Sequence, residues 1–579
     1  MMNTKFLFSL LLVSSLFISC DDDILDLPPE DQLVADQFFN TAKDLEVATN
    51  DFYTMFPTTG TYTDDSASDN IMGLIPNARI RGGRVVPTKR GSGGWDWDRL
   101  RDINFFLEHY KQVDNPDAQK HYGGIARFFR AYFYFDKVAQ FGDVPWYGEV
   151  LEAGDEELYK ARDPRALVMD SIMADIDYAI ANIPEEKELN RVTKYTALLL
   201  KARIALFEGT FRKYHGISGG EEFLKQAAIT AEDLISSGAY SLYTAGGPEE
   251  AYRGLFSRNN QDAVETILAR DFNQELETHN LGYLMTAPTS GGWGMMKDAA
   301  NSYLMTDGTP FTDLPGYDTM GFYDEMQDRD PRLTQTTAGP GFTVLGESTP
   351  EPVSLESSTT GYRIIKALPD RSQWSSSYFD IIIFRYAEAL LIYAEAKAEL
   401  GTLSQSDLDI SVNLLRDRVG MPHLDMAQAN ANPDPYQESF YQNVNQGANK
   451  GVILEIRRER RIEMFNEGLR WQDLMRWKEG KKLEQPMLGI YFPSLGAHDF
   501  NNDGTADVYL HQGDQSGAPE GITTFINVLQ RPLTQGTSGN LNPFSEGGSF
   551  DESRDYYYPI PIEDLQLNKN LVQNPKWEH

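Results

Sequence analysis

Two places in this 579-residue chain could do chemistry by residue type and spacing. The first runs from Asp499 to Asp507. Asp499, Asn501, Asp503 and Asp507 stand at positions 1, 3, 5 and 9 of a calcium-loop pattern, with Gly504 at position 6. Thr505 would offer its carbonyl at position 7. Position 12 calls for a bidentate glutamate and is Leu510, so this is no ordinary EF-hand. A structural calcium and a bare Asx-rich turn leading into Val508-Tyr509-Leu510 are both open readings. The second place is Cys20, the chain's one cysteine, which excludes an intrachain disulfide and a cysteine metal site. It follows Lys5, an apolar run from Phe6 to Ile18, and Ser19. The run is too short to span a bilayer and reads as an export signal. Cysteine immediately after it is the arrangement of a bacterial lipoprotein box, although Phe17 stands where leucine is usual. The sequence therefore predicts a lipid on Cys20; the other reading is an ordinary secretory peptide with an incidental cysteine.

Other chemistry finds little support. With 86 acidic residues, a pair of carboxylates at any spacing says almost nothing about glycoside hydrolysis. Gly216-Ile-Ser218-Gly-Gly220 fits the formal pattern of a serine-hydrolase elbow, but it follows a helix where the elbow needs a strand. No HExxH, phosphate loop or dinucleotide fingerprint occurs, and the eight histidines are scattered. The chain is not expected to be an enzyme. A formal charge of −34 argues against a nucleic-acid partner.

The elements that would carry these residues are mostly helical. Apolar periodicity begins at Asp36, where Phe38, Leu45, Ala48 and Phe52 share a face and Pro57 closes the segment. It returns at 98–112, 118–141, 164–183, 193–213 and 221–237. Ala202 to Gly209 and Ala394 to Gly401 end alike, with glycine expected as the helix cap and small residues permitting close packing. The helix pairs predict a tetratricopeptide-like superhelix, although no clean 34-residue period survives. Residues 57–94 are loop-like, and between about 240 and 380 the pattern loosens into loops and short strands. The predicted organisation is an export signal at 1–19, a tether at 20–35 and a helical region at 36–240. A loop-rich ligand-binding region at 241–380 and a C-terminal region at 381–579 follow.

One stretch stands out, Ile453 to Trp477. Arg457, Arg458, Arg460, Arg461, Arg470 and Arg476 interleave with Glu455, Glu459, Glu463 and Glu467, and Gly468 breaks the helix. Glu455 with Arg458 and Arg460 with Glu463 are spaced to pair on one helical face. Ile456, Ile462, Phe465, Leu469, Trp471, Leu474 and Trp477 thread through the charges, so much of the surface should be buried. Buried arginines must be paired, which makes the segment a packing keystone.

This stretch resembles the signature of the SusD/RagB family of nutrient-binding lipoproteins: Glu459-Arg460-Arg461, Glu463, Glu467-Gly468, Arg470-Trp471, Asp473-Leu474 and Arg476-Trp477. Arg130-Ala131-Tyr132 with Phe141-Gly142-Asp143-Val144-Pro145, the GW and DG-x-P elements of 291–311, the helix from Arg385 to Gly401, and the ending 556–575 match in order. The resemblance implies a surface lipoprotein of the outer membrane that passes an oligosaccharide to a SusC-like TonB-dependent transporter. It also implies that Asp21-Asp22-Asp23, otherwise a solvated tether, accompanies export to the outer face. It places ligand contacts on loop aromatics, since sugar C–H faces stack on flat rings. Trp95 and Trp293, flanked by glycine, are the first candidates, with Trp97 and Trp374 next. A surface glycoside hydrolase and a scaffold without a small ligand are the alternatives.

Overall fold

The computed structural model describes residues 38–444 and 447–577; Cys20 and the acidic tether lie outside them. The N-terminal half is built of helices whose ends the sequence marks. Helix α1 (Ala42–Asn50) opens on a capping box, the Thr41 hydroxyl accepting from the Asp44 N–H while the Asp44 carboxylate accepts from Thr41. After α2 (Asp98–His109), α3 (Pro116–Phe141) starts with Asn115 as cap and proline in its first turn. Helices α4 (Arg165–Asn182), α5 (Lys194–His215) and α6 (Gly220–Ser236) follow. α3 packs on α4, α5 on α6, and α7 (Tyr386–Leu400) against α5 and α6. The result is a mostly helical, tetratricopeptide-like array.

Gly401 caps α7 as expected, but Gly209 caps nothing. It lies inside α5, which runs on to Gly216. A Cβ on Gly209 would sit 2.8 Å from the Leu224 side chain of α6, so this glycine is there for helix approach. The Gly216–Gly220 stretch joins α5 to α6, which is not the strand-to-helix context of a nucleophile elbow.

The strands are short. β1 (Ile71–Met72) pairs with β3 (Gly294–Met295), and β2 (Thr266–Arg270) with β4 (Ile381–Arg385), both antiparallel. Likewise β5 (Tyr491–Phe492) pairs with β9 (Gly539–Asn540). β7 (Val508–His511) runs antiparallel to β6 (Gly496–His498) and parallel to β8 (Thr524–Asn527). One large apolar cluster is mainly helical. A second joins residues between 243 and 382 to the C-terminal loops between 490 and 541, so the loop-rich layer draws on both regions.

Helix α8 (Lys450–Glu463) and the short α9 (Arg470–Arg476) tie these clusters together. Met464 and Leu469 enter the helical cluster, and Ile462 and Phe465 the loop-rich one. Ile456 and Trp477 enter a third cluster, and Trp471 and Leu474 a fourth. All six arginines of the stretch are buried. Glu455 meets Arg458 at 3.1 Å as the spacing predicts, but Arg460 does not pair with Glu463. Arg460 reaches Asp473 at 2.8 Å. Glu463 instead receives Arg385 at 2.7 Å, Arg418 at 2.5 Å and Arg332 at 3.1 Å. Arg470 grips both oxygens of Asp69 at 2.7 Å. Glu455–Arg458 apart, the pairs of Glu463 and Arg470 close between distant segments, which is what fastens the layers to one another.

Candidate functional site

The loop-rich layer holds a cavity of about 470 Å³. Its apolar walls are Phe322, Tyr323, Phe342 and Phe500, and Phe322 stacks on Phe500 with centroids 4.9 Å apart. Phe342 is carried by the glycine- and proline-rich turn at 338–342, and the Glu351 N–H donates to its carbonyl at 2.8 Å to close the loop. Tyr323 is half-buried, and its hydroxyl has no hydrogen bond among the described residues. Polar groups on the lining include Gln327, Glu351, Arg363, Asn501 and Asp503. Apolar planes interrupted by a few fixed polar groups suit a ligand with both kinds of surface.

A second cavity, of about 430 Å³, lies at Tyr132, Arg203, Arg385, Glu388 and Glu467. Its cations are already matched: Arg203 holds Glu388 at 2.6 Å and Arg385 holds Glu467 at 2.6 Å. These groups belong to the keystone network and leave little to offer a ligand.

The tryptophans singled out from the sequence do not converge. Trp95 is only 2% exposed, with its ring edge-on to Trp97 at 5.3 Å and to Phe141 at 4.8 Å. The glycines before it, expected to leave the ring accessible, do the reverse. Gly93 and Gly94 take φ of +64° and +91°, a region costly to a side chain, and that turn brings Trp95 into the core. Trp97 is half-buried over Phe133, Tyr134 and Tyr147. Trp293 packs partly against the loop-rich core, and its glycines are footing for the indole. A Cβ on Gly73 would meet the ring at 3.3 Å and one on Gly291 at 2.8 Å. Trp374 does not line the cavity; its ring lies 5.7 Å from the guanidinium of Arg363, which does, and 4.6 Å from that of Arg371. Tyr323 and Phe342 were missed. The run Gly339-Pro340-Gly341 before Phe342 is the signal that could have found it.

The Asp499–Asp507 loop borders the same cavity through Asn501 and Asp503. Its oxygens accept from its own backbone: Asp499 from Gly504 at 2.8 Å, Asn501 from Asp503 at 3.0 Å, Asp503 from Thr505 at 2.8 Å, and Asp507 from Phe500 at 3.0 Å. Burial, helped by the charges of Asp503 and Asp499, raises the Asp507 carboxyl above its ordinary range. Among the described residues no group of three or more His, Cys, Asp or Glu side chains is placed to hold a metal ion.

An array of paired helices carrying a loop-built aromatic cleft defines the class of this molecule. Comparison with known proteins then gives the family. A SusD family profile matches residues 244–577, and a second, described as starch-binding and associating with the outer membrane, matches 32–206. The chain belongs to the SusD family. Among its relatives, SusD-like protein P2 of Formosa agariphila is 24% identical over 98% of both chains. SusD-like protein P38 of the same organism is 23% identical over 84% of this chain and 94% of its own. A SusD-like carbohydrate-binding protein from Bacteroides fragilis superposes with a TM-score of 0.70 at 22% identity, over 92% of this chain and all of that one. Another SusD-like protein from Bacteroides fragilis gives 0.69 at 20% identity, over 95% and 99%.

Proposed function

We propose that this protein captures an oligosaccharide at the surface of the outer membrane and hands it to a SusC-like TonB-dependent transporter. The observation that carries the reading is the aromatic cleft, whose planes and polar groups suit a sugar's two kinds of surface. The family supports it, as do the outer-membrane description of the matching profile and the carbohydrate-binding title of the Bacteroides fragilis neighbour. A hydrolase needs a carboxylic acid free to donate a proton. Of the two carboxylates on the lining, Glu351 is ion-paired to Arg363 and Arg371, and Asp503 accepts from the Thr505 N–H and the Asn501 side-chain amide, which suits positioning roles.

Tyr323 gives the cleanest test. Its ring belongs to none of the apolar clusters, so Tyr323→Ala should leave the melting temperature nearly unchanged. Loss of one stacking plane should weaken glycan binding by about 0.5–1.5 kcal/mol, roughly two- to tenfold. Titration calorimetry against a glycan array hit reads this directly, and normal binding by the variant would move the site elsewhere.

The anchor is read separately. No helix among the described residues is long and apolar enough to cross a membrane. With lipid on Cys20, Cys20→Ser should shift the protein from the membrane fraction to the soluble one. Sedimentation with membranes lacking the transporter would overturn the anchor. For the Asp499–Asp507 loop we propose closure on its own amides, without calcium. The melting temperature should then be the same in calcium and in chelator; a calcium-dependent rise would make it a metal site.

A further inference from the structure

Around Phe342, on the wall of the cleft, guanidiniums outnumber the carboxylates that reach them: Arg363 lines the cavity, and Arg253 lies near the ring without lining it. Phe342 lies between two guanidiniums, Arg253 at 5.0 Å and Arg363 at 5.8 Å from its ring centre. Arg363 lines the cavity and is 7% exposed, yet its ion pair is a single long contact to Glu351 at 3.4 Å. Its Nε is buried without a hydrogen-bond partner among the described residues. Arg253 donates to the Thr343 carbonyl at 3.2 Å, while its Nε and Nη2 are enclosed and have no hydrogen-bond partner among the described residues. Burial and the neighbouring charge of Arg363 push Arg253 down to about 10. Buried N–H groups of arginine left without acceptors are costly, and ring faces compensate only in part. Keystone arginines such as Arg418 and Arg457 also hold such groups but have carboxylates within 3.7 Å, and Arg253 has none among the described residues.

The carboxylates nearby are distributed the other way. Arg371, on the exposed rim, takes Glu347 through two contacts of 2.6 and 2.9 Å and takes Glu351 as well. Glu351 is thus drawn toward the rim and serves Arg363 only at its limit. Among the described residues the rim arginine has two carboxylates, Arg363 a share of one, and Arg253 none.

Resting on the glycan-binding reading, we propose that the cleft takes an acidic sugar, one bearing a carboxylate or a sulfate ester, with its anion on Arg363 and its ring against Phe342 or Tyr323. Glu351 stands in for that anion when no ligand is bound. An arginine fork matches both anions with paired N–H donors, so the shared chemistry is a planar or tetrahedral oxyanion on a sugar ring. The chain's formal charge of −34 opposes such a ligand at long range, and Asp503 also borders the cavity. Salt screens the distant charges within about 8 Å, which leaves the local guanidiniums to decide.

The test uses the mature protein with three probes: oligogalacturonides, sulfated galactan oligosaccharides and neutral galacto-oligosaccharides. One acidic probe should bind about tenfold or more tightly than the neutral one, because charge-assisted bonds are the strong ones, and the margin should shrink as salt is raised. Which acidic probe wins assigns carboxylate or sulfate. Arg363→Gln should abolish the margin. Glu351→Gln should tighten the acidic probe severalfold by removing the resident competitor, and so widen its margin over the neutral probe. That variant keeps the test open should Arg363→Gln fold poorly. Neutral binding equal to or tighter than both acidic probes overturns the charge assignment and leaves the glycan-binding reading standing. No change in acidic binding with Glu351→Gln also overturns it. Failure of all three probes on a folded chain overturns both.

Discussion

Arg470→Met is expected to lower stability by about 3–5 kcal/mol, because it strands a buried carboxylate. Asp69 lies 7% exposed in a loop that precedes α2 and receives Arg470 through two bonds of 2.7 Å. Its other close cation, Arg461, is 3.4 Å away. Burial alone would raise this carboxyl; the charges of Arg470 and Arg461 outweigh it and hold the group well below its ordinary range. For a carboxyl depressed in this way, the stabilisation is present above the unfolded value of 3.8 and is lost as pH falls through the folded one. Chemical denaturation at neutral pH should therefore show the full loss, and the gap between variant and wild type should narrow in strong acid. Lys481→Ala on the exposed surface should cost under about 0.5 kcal/mol. Equal, small losses at both positions would mean that the arginine network is not holding the layers together.

The keystone was legible because its own composition forced the conclusion: six arginines threaded by isoleucine, leucine and tryptophan cannot all face water. Its partners were not legible. Asp69, Arg332, Arg385 and Glu395 lie 78 to 401 residues from the keystone groups they meet, and no spacing rule reaches that far. The same division runs through the helices. Periodicity marked α2 to α6 within a few residues, since one-sided burial writes itself on the sequence at 3.6-residue intervals. Gly209 was misread as a cap because close approach to Leu224 and a left-handed helix end both select glycine, and only the fold tells them apart. The cleft was the least legible part. Its walls come from 322–323, 342, 363 and 500–503, a one-turn helix and loops brought together by the second apolar cluster, and none is long enough to carry a periodic signal.

Trp95 turns that ambiguity into a measurement. Read as an open platform, it predicts that Trp95→Ala weakens glycan binding and spares the fold. Its place in the structure predicts the reverse. The ring is enclosed by Trp97 and Phe141, the loop before it is fastened by Lys137 donating to the Gly94 carbonyl at 2.6 Å, and the cavity at Tyr323 involves none of these residues. Removing an indole from such a site leaves a hole its rigid neighbours cannot fill, so Trp95→Ala should cost about 3–5 kcal/mol. Trp477→Ala should cost at least as much. That indole is fully buried, donates to Glu395 at 2.7 Å and lies 4.3 Å from the Arg457 guanidinium, so its loss also removes partners from two buried charges. Denaturant titration gives the stability and calorimetry at low temperature, where both variants remain folded, gives the binding. Stability lost with affinity kept places Trp95 in the core beside Trp477. Affinity lost from a chain of unchanged stability would return the ligand to the helical layer and empty the cleft at Tyr323 of its role.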